Sequence, residues 1–372
     1  MTHPPTKIRV AVVYGGRSTE HEVSLQSAAS VVANLDPASY DVLPISVDHE
    51  GRFHRHDVAE LRARRPKALP VGGNSEPLTI APRPAGPLFA SPSALALDVD
   101  VVFPVMHGPL CEDGSIQGLF ELAGIPYVGS RVLGSAVCMD KDVAKRLVRA
   151  EGIAVAPYLS FTLGQWNREQ KRLIARIEAE LGYPVFVKPA TLGSSIGVTR
   201  AKDRAELLQS VAHAQVYDEK VLVERAVDAR EIEVAVLAAQ DPSAPPEVSV
   251  PGEIVAAEAF YSFERKYLDA TGADLHVPAK LDAATAARAQ QLARRAFLAL
   301  ECEGMARIDF LLDRTSGELY FGEANTIPGF TSISMYPKLW EASGLPYNAL
   351  LDRLIRDALA RALRRSALRR ER

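Results

Sequence analysis

Apolar residues along this chain alternate between two spacings, and the alternation predicts an α/β protein. Residues 7–14 form a short apolar run closed by Gly15 and Gly16, and residues 23–35 carry small and apolar side chains at helical spacing. That is a strand followed by a helix. Further strands are predicted at 40–47 and 99–105, with a Leu- and Ile-rich helix at 117–123, which together make a first, Rossmann-like parallel-sheet domain over 1–135. Residues 62–97 are dense in Pro and Gly and read as short edge strands and loops rather than a boundary. A helix at 140–151, a strand at 158–163, a helix at 168–181, a strand at 184–189 and a strand-helix-strand unit reaching residue 224 form a small α+β lid. The lid domain spans 136–225. From 231 to 336 strands alternate with an Ala-rich helix at 283–300, and a helix at 347–363 closes a third domain over 226–372. The basic tail 364–372 reads as a frayed, solvated helix end.

Length and composition narrow the function. At 372 residues the chain exceeds one ordinary core, and 47% hydrophobic with 24% charged residues is the balance of a soluble globular protein. A formal net charge of -3 gives nucleic acid or an anionic membrane no electrostatic claim on the surface, so small molecules are the expected partners. No apolar run reaches the length of a signal or membrane-spanning segment, and a cytoplasmic protein is expected. Cys111, Cys138 and Cys302 are far apart and in no CxxC spacing, which disfavours structural zinc and disulfides.

The densest chemistry lies near the C-terminus. Two apolar strands, residues 306–313 and 318–325, meet at Ser316 and Gly317 and predict a hairpin. If it closes there, Asp309 faces Glu323 and Arg307 faces Asn325. Facing carboxylates repel unless a cation lies between them, and an amide oxygen beside them completes a hard-oxygen set suited to Mg²⁺ that keeps waters and shares phosphate oxygens. Arg307 reads as a clamp for phosphate or for a developing oxyanion. The alternative is a surface hairpin with solvated charges, but residues 326–332 add backbone N-H groups beside the carboxylates. Upstream, Lys188 ends an apolar strand and a Gly/Ser loop at 192–197 follows, so one ammonium and several N-H and O-H donors can surround polyphosphate. No Gly-Lys-Ser/Thr follows the glycines, so this is no Walker loop, and residues 15–20 lack the GxGxxG pattern of a dinucleotide turn. Glu22, at the entry to the first helix, either complements the helix dipole or receives a substrate ammonium. His107, at a strand end, is open between a structural and a catalytic reading.

Taken together, residues 15–24, 107–114, 139–141, 188 with 193–197, 266–267, 307–309 and 323–329 stand in the order and spacing of the D-alanine:D-alanine ligases, and the chain resembles that family over nearly its whole length. The resemblance implies a three-domain ATP-grasp fold and a ligase that joins two D-alanines by way of an acyl phosphate, releasing ADP and phosphate for peptidoglycan precursor synthesis. It implies that Lys141, Lys188, Ser194, Ser195, Glu224, Glu231 and Lys266 bind ATP, and that Asp309, Glu323 and Asn325 hold two Mg²⁺ ions, for which Mn²⁺ can substitute. Glu22, grouped with Ser194 and Tyr267, would take the first substrate's ammonium, Arg307 and the Gly329 N-H would stabilise the oxyanion, and His107, Ser334 and Met335 would complete the substrate sites. A homodimer is implied as well. Cys111 departs from the family pattern, which has glycine there, in a loop expected near Glu22 and His107. A D-alanine:D-lactate ligase would keep every ATP residue, and Tyr267 argues against it. A non-catalytic ATP-binding regulator would be expected to have lost Arg307 or a metal residue, and all are present.

Overall fold

The computed structural model describes residues 7–64, 68–72, 75–80, 89–90, 96–256 and 273–369. Its strands gather into three sheets. The first contains β1 (Ile8–Gly15), β2 (Tyr40–Val47), β3 (Phe53–Arg55), β4 (Glu76–Ile80), β5 (Phe89–Ala90), β6 (Ala96–Leu97) and β7 (Val101–Pro104), in the order β6-β5-β4-β3-β2-β1-β7. Only β2, β1 and β7 run parallel, because α1 (His21–Asn34) crosses between the first two; β3 to β6 are short antiparallel edge strands. The sheet is thus mixed rather than wholly parallel, and the expectation of edge strands in the Pro-rich stretch holds for its described residues. Helices α2 (Val58–Arg64), α3 (Ser115–Ala123), α4 (Val132–Met139) and α5 (Lys141–Ala150) complete the first part of the chain.

The second sheet has the order β10-β9-β11-β8, all antiparallel, from β8 (Tyr158–Thr162), β9 (Val185–Pro189), β10 (Thr199–Ala201) and β11 (Lys220–Arg225). Helices α6 (Leu163–Glu180) and α7 (Arg204–Ala214) bury Trp166, Ile177, Leu207 and Val211 against it. Thr162 and Gln165 form a capping box, which starts α6 five residues earlier than its apolar spacing suggests.

The third sheet runs β15-β14-β12-β16-β17, with β13 beside β12, from β12 (Ala229–Leu237), β13 (Glu247–Val248), β14 (Gly252–Ala256), β15 (Ala273–His276), β16 (Met305–Asp313) and β17 (Leu319–Asn325). Helix α8 (Ala283–Ala299) covers one face together with Cys138, Ala144, Val148 and Ile153, so the apolar residues of α4 and α5 pack on this sheet, while polar residues of α5 reach the lid strands. Helices α9 (Met335–Ala342) and α10 (Tyr347–Ser366) share one core with β1, β7 and α1, tying the two ends of the chain together. In the described part of the basic tail the helix ends at Ser366 and residues 366–369 are exposed, as expected, but Arg365 is held by Glu121 at 2.9 Å; just before the tail, Arg361 donates to the carbonyls of Tyr127 and Gly129. No helix among the described residues is long and apolar enough to cross a membrane.

Candidate active site

Strands β16 and β17 form the predicted hairpin, with Asp309 opposite Glu323 and Arg307 opposite Asn325. A bulge follows Asp309, where Gly322 is the extra residue, and it turns the strand ends toward the middle of the molecule. Arg307 is buried. Its Nε and Nη2 meet Asp309 Oδ1 and Oδ2 at 2.8 and 2.7 Å, and its Nε lies 3.1 Å from Glu233 Oε2. Since Glu233 pairs with Asp309 on the other side, three carboxylates cross the sheet in one row, and sequence reading missed the first of them.

Asp140 caps α5 by accepting from the N-H groups of Asp142 and Val143, which places Lys141 at the first helical position. The Lys141 ammonium donates to the Leu192 carbonyl and lies 3.5 Å from Glu323. One turn on, Lys145 lies 2.7 Å from Glu224 Oε1, and Lys188 donates to Glu224 Oε2 at 2.7 Å. Burial alone would raise the Glu224 pKa, but the two ammoniums outweigh it and bring the group down to about 2. Lys188 shows the mirror image: burial acts to lower its pKa, and Glu224 leaves it raised. Ser194 and Ser195 both adopt positive φ, 52° and 59°, which folds the Gly/Ser loop over these lysines. Glu231 lies exposed on β12.

Glu22 does not enter this cluster. It is exposed on the outer face of α1, whereas Glu20, the residue just before that helix, is buried and accepts a very short hydrogen bond from Ser194 Oγ. Glu20 also lines the cavity with Glu112, Lys141, Ser194, Arg307, Glu323 and Asn325. Glu20, at the helix N-cap, thus faces the cavity in the place expected for Glu22, while Glu22 within the helix faces outward. Burial, then the charge of Glu20, pushes the Glu112 carboxyl well above its usual range, while it accepts the Gly108 N-H at 2.7 Å. Cys111 points into the first sheet's core. Cys138 and Cys302 are both free thiols, with their sulfurs 3.4 Å apart.

His107 is buried between the Ile327 carbonyl, 3.1 Å from Nδ1, and Ser27 Oγ, 3.4 Å from Nε2. Burial lowers its pKa from 6.5 to about 4, so the folded protein resists its protonation. Below pH 6.5 the unfolded chain binds this proton and the folded chain does not, which removes stability as pH falls toward 4, by about 3 kcal/mol in all. We expect the midpoint of thermal unfolding to fall more between pH 7 and pH 5 in the parent than in His107→Gln; parallel slopes would contradict this.

At the other end of the site, a Cβ on Gly329 would lie 2.7 Å from Ser334 Oγ, so a larger residue there would displace the Ser334 hydroxyl. Ser334 Oγ also receives the Thr331 N-H at 3.0 Å. The Met335 side chain is buried in the core shared by the chain ends, leaving only its backbone to face a substrate. Lys266 and Tyr267 lie outside the described residues.

Among the described residues no group of three or more His, Cys, Asp or Glu forms a metal cage. Two carboxylates and an amide at one hairpin end nevertheless fit Mg²⁺, which takes few protein ligands and shares its sphere with phosphate and water. Here Arg307 and Lys141 balance the charge of Asp309 and Glu323, the cation requirement that the sequence assigned to the metal.

With this geometry in view, comparison with known proteins gives consistent matches. The family described as D-ala D-ala ligase N-terminus matches residues 9–130, and D-ala D-ala ligase C-terminus matches residues 147–356. A D-alanine–D-alanine ligase A of Bradyrhizobium diazoefficiens is 50% identical over 98% of both chains, and a D-alanine–D-alanine ligase of Legionella pneumophila is 46% identical over 95% of both. Among solved structures, the D-alanine-D-alanine ligase from Coxiella burnetii superposes with a TM-score of 0.81 at 36% identity, covering 97% of each chain. The VanG D-Ala:D-Ser ligase from Enterococcus faecalis gives 0.82 at 35% identity, over 95% of this chain and 100% of its own.

Proposed function

The chain belongs to the D-alanine–D-alanine ligase family, and from that premise we propose that it joins two D-alanines at the cost of ATP through a D-alanyl phosphate. The observation that carries this reading is the meeting, around one cavity, of Glu20, Ser194, Lys141, Arg307, Glu323 and Asn325, which come from parts of the chain far apart in sequence.

A carboxylate is a poor acyl donor, so its oxygen must first take the γ-phosphoryl group. Lys141 and Lys188 are cations at one end of the site and Arg307 is a cation at the other, and together they offset the negative charge that gathers as the phosphoryl group moves. Asp309, Glu323 and Asn325 are the residues that would hold Mg²⁺, which would supply further charge neutralisation on the phosphates. Glu20 holds the first D-alanine's ammonium, with Ser194 fixing the carboxylate's orientation. The second D-alanine, its carboxylate held near Ser334, attacks through its free amine. Arg307 and the Gly329 N-H meet the oxyanion, and phosphate leaves. Lys266 and Tyr267 lie outside the described residues; the family resemblance assigns them to the side of the site from which water must be kept, since an acyl phosphate hydrolyses. Glu224 receives the adenine amine and Glu231 the ribose.

The enzyme is cytoplasmic, its domains divide at 1–135, 136–225 and 226–372, and it works as a homodimer. Exposed Leu122, Leu133, Leu363 and Leu368, close in sequence to the Glu121, Arg131 and Arg365 ion pairs, support the dimer. Incubation with ATP, Mg²⁺ and D-alanine is expected to yield D-alanyl-D-alanine with ADP and phosphate. Release of AMP and pyrophosphate would refute the reading.

Acceptor choice rests on Tyr267. D-Lactate offers a hydroxyl and no ammonium; Tyr267 lies outside the described residues, and the family resemblance groups its phenol with Ser194 and the carboxylate that takes the ammonium, a grouping that would keep the pocket suited to the amine. Losing one member of a buried network costs about 1–3 kcal/mol, so Tyr267→Phe is expected to shift the dipeptide-to-depsipeptide ratio by roughly ten- to a hundredfold toward D-lactate. A competition assay with both acceptors checks it, and an unchanged ratio removes Tyr267 from specificity.

A further inference from the structure

We propose that Lys145 is a positioning residue for the nucleotide: it holds Glu224 from behind, so that this carboxylate and the Lys188 ammonium are fixed where adenine and phosphate are to be bound. The inference rests on the ligase reading given above.

Lys145 stands four residues after Lys141 on α5, and therefore on the same face of the helix. Its side chain is only 1% exposed, which is exceptional for a lysine. Its Nζ lies 2.7 Å from Glu224 Oε1 and donates to the Phe321 carbonyl at 3.1 Å, with the Tyr158 and Phe321 rings at 5.9 and 6.0 Å. One contact reaches lid strand β11, and the other reaches β17 two residues before Glu323. A single buried ammonium therefore links α5, the lid and the hairpin that carries the acidic residues.

The charge count sets this lysine apart from an ordinary buried ion pair. Lys188 alone would neutralise Glu224. With Lys145 also present, two cations meet one carboxylate, each on its own oxygen, and Glu323 is the next anion that both feel. Two ammoniums gathered on one buried carboxylate suit a place where a further anion is received, and the polyphosphate of a nucleoside triphosphate is such an anion. Burial and the neighbouring Lys188 both press the Lys145 pKa downward, as expected for a cation placed beside another. Lys145 acts on the nucleotide only through Glu224 and Lys188.

The test is Lys145→Met, which keeps the length of the side chain and removes its charge, assayed beside Glu224→Gln and the double variant. In Lys145→Met we expect KM for ATP to rise about tenfold or more, with KM for D-alanine within about twofold of the parent. Because the effect passes through Glu224, adding Lys145→Met to Glu224→Gln should change the ATP KM by less than about twofold. An unchanged ATP KM, a parallel rise in both KM values, or independent multiplication of the two effects would overturn the proposal. If Lys145→Met does not fold, Lys145→Gln, which keeps a donor for the Phe321 carbonyl, must show the same split. Calorimetric titration of parent and variant with ATP separates the two levels: a parent that binds ATP but makes no dipeptide defeats the ligase reading, and equal ATP affinity in parent and variant defeats the role of Lys145.

Discussion

Glu20→Gln is expected to lower dipeptide synthesis by roughly a hundred- to a thousandfold, while Glu22→Gln stays within about twofold of the parent. The two residues are two positions apart and chemically identical, so the comparison isolates place from type. Glu20 is buried, bonded to Ser194, and faces the same cavity as Arg307. A buried carboxylate that receives a substrate ammonium loses a charge-assisted interaction when it becomes an amide, and it leaves the ammonium without a counterion. Glu22 is exposed on α1, where its only electrostatic business is with the helix N-terminus, worth under about 1 kcal/mol. The measurement is kcat/KM for D-alanine in both variants, with melting curves to verify the fold. Comparable losses in the two, or a larger loss in Glu22→Gln, would return the ammonium to Glu22.

The second large effect is at the hairpin. Asp309→Asn and Glu323→Gln should each reduce turnover by about a thousandfold or more with little change in melting temperature. Both side chains are only partly buried on the paired strands and remove no apolar area from the core when altered. Asp309→Asn has an additional consequence: Arg307 loses the anion that holds it at two points, with Glu233 remaining 3.1 Å away. Residual activity in either variant should therefore demand more Mg²⁺, and Asp309→Asn should bind ATP with altered affinity as Arg307 moves. Near-parent turnover at limiting Mg²⁺ in either variant would remove these carboxylates from the metal site.

What could be read in the sequence was decided by local rules. The hairpin and its turn near Ser316 and Gly317 were legible from strand alternation, but next to the turn Leu312 pairs with Leu319, and it is the one-residue bulge at Gly322, which alternation does not declare, that brings Glu323 opposite Asp309. Helix α4 left no such trace. Gly134 lies in its middle and lowers helical propensity, yet a Cβ there would come within 2.4 Å of the Glu301 carbonyl, so the close approach of two backbones requires glycine. Glu20 was passed over because a residue at a loop-to-helix boundary has no periodicity to declare its direction. The Lys145–Glu224 contact spans elements joined only in the folded chain, and so does the row of Glu233 with Asp309. Alternation of Glu231 with Glu233 on β12 was the one local hint of that row.

The central claim is that the first carboxylate is activated by the γ-phosphoryl group of ATP. D-Alanine carrying the heavy oxygen isotope in its carboxylate tests it directly. As each dipeptide forms, one labelled oxygen should pass to inorganic phosphate and none to the nucleotide, as mass spectrometry of the products would show. Label recovered in AMP, or phosphate free of label while dipeptide accumulates, would contradict the account.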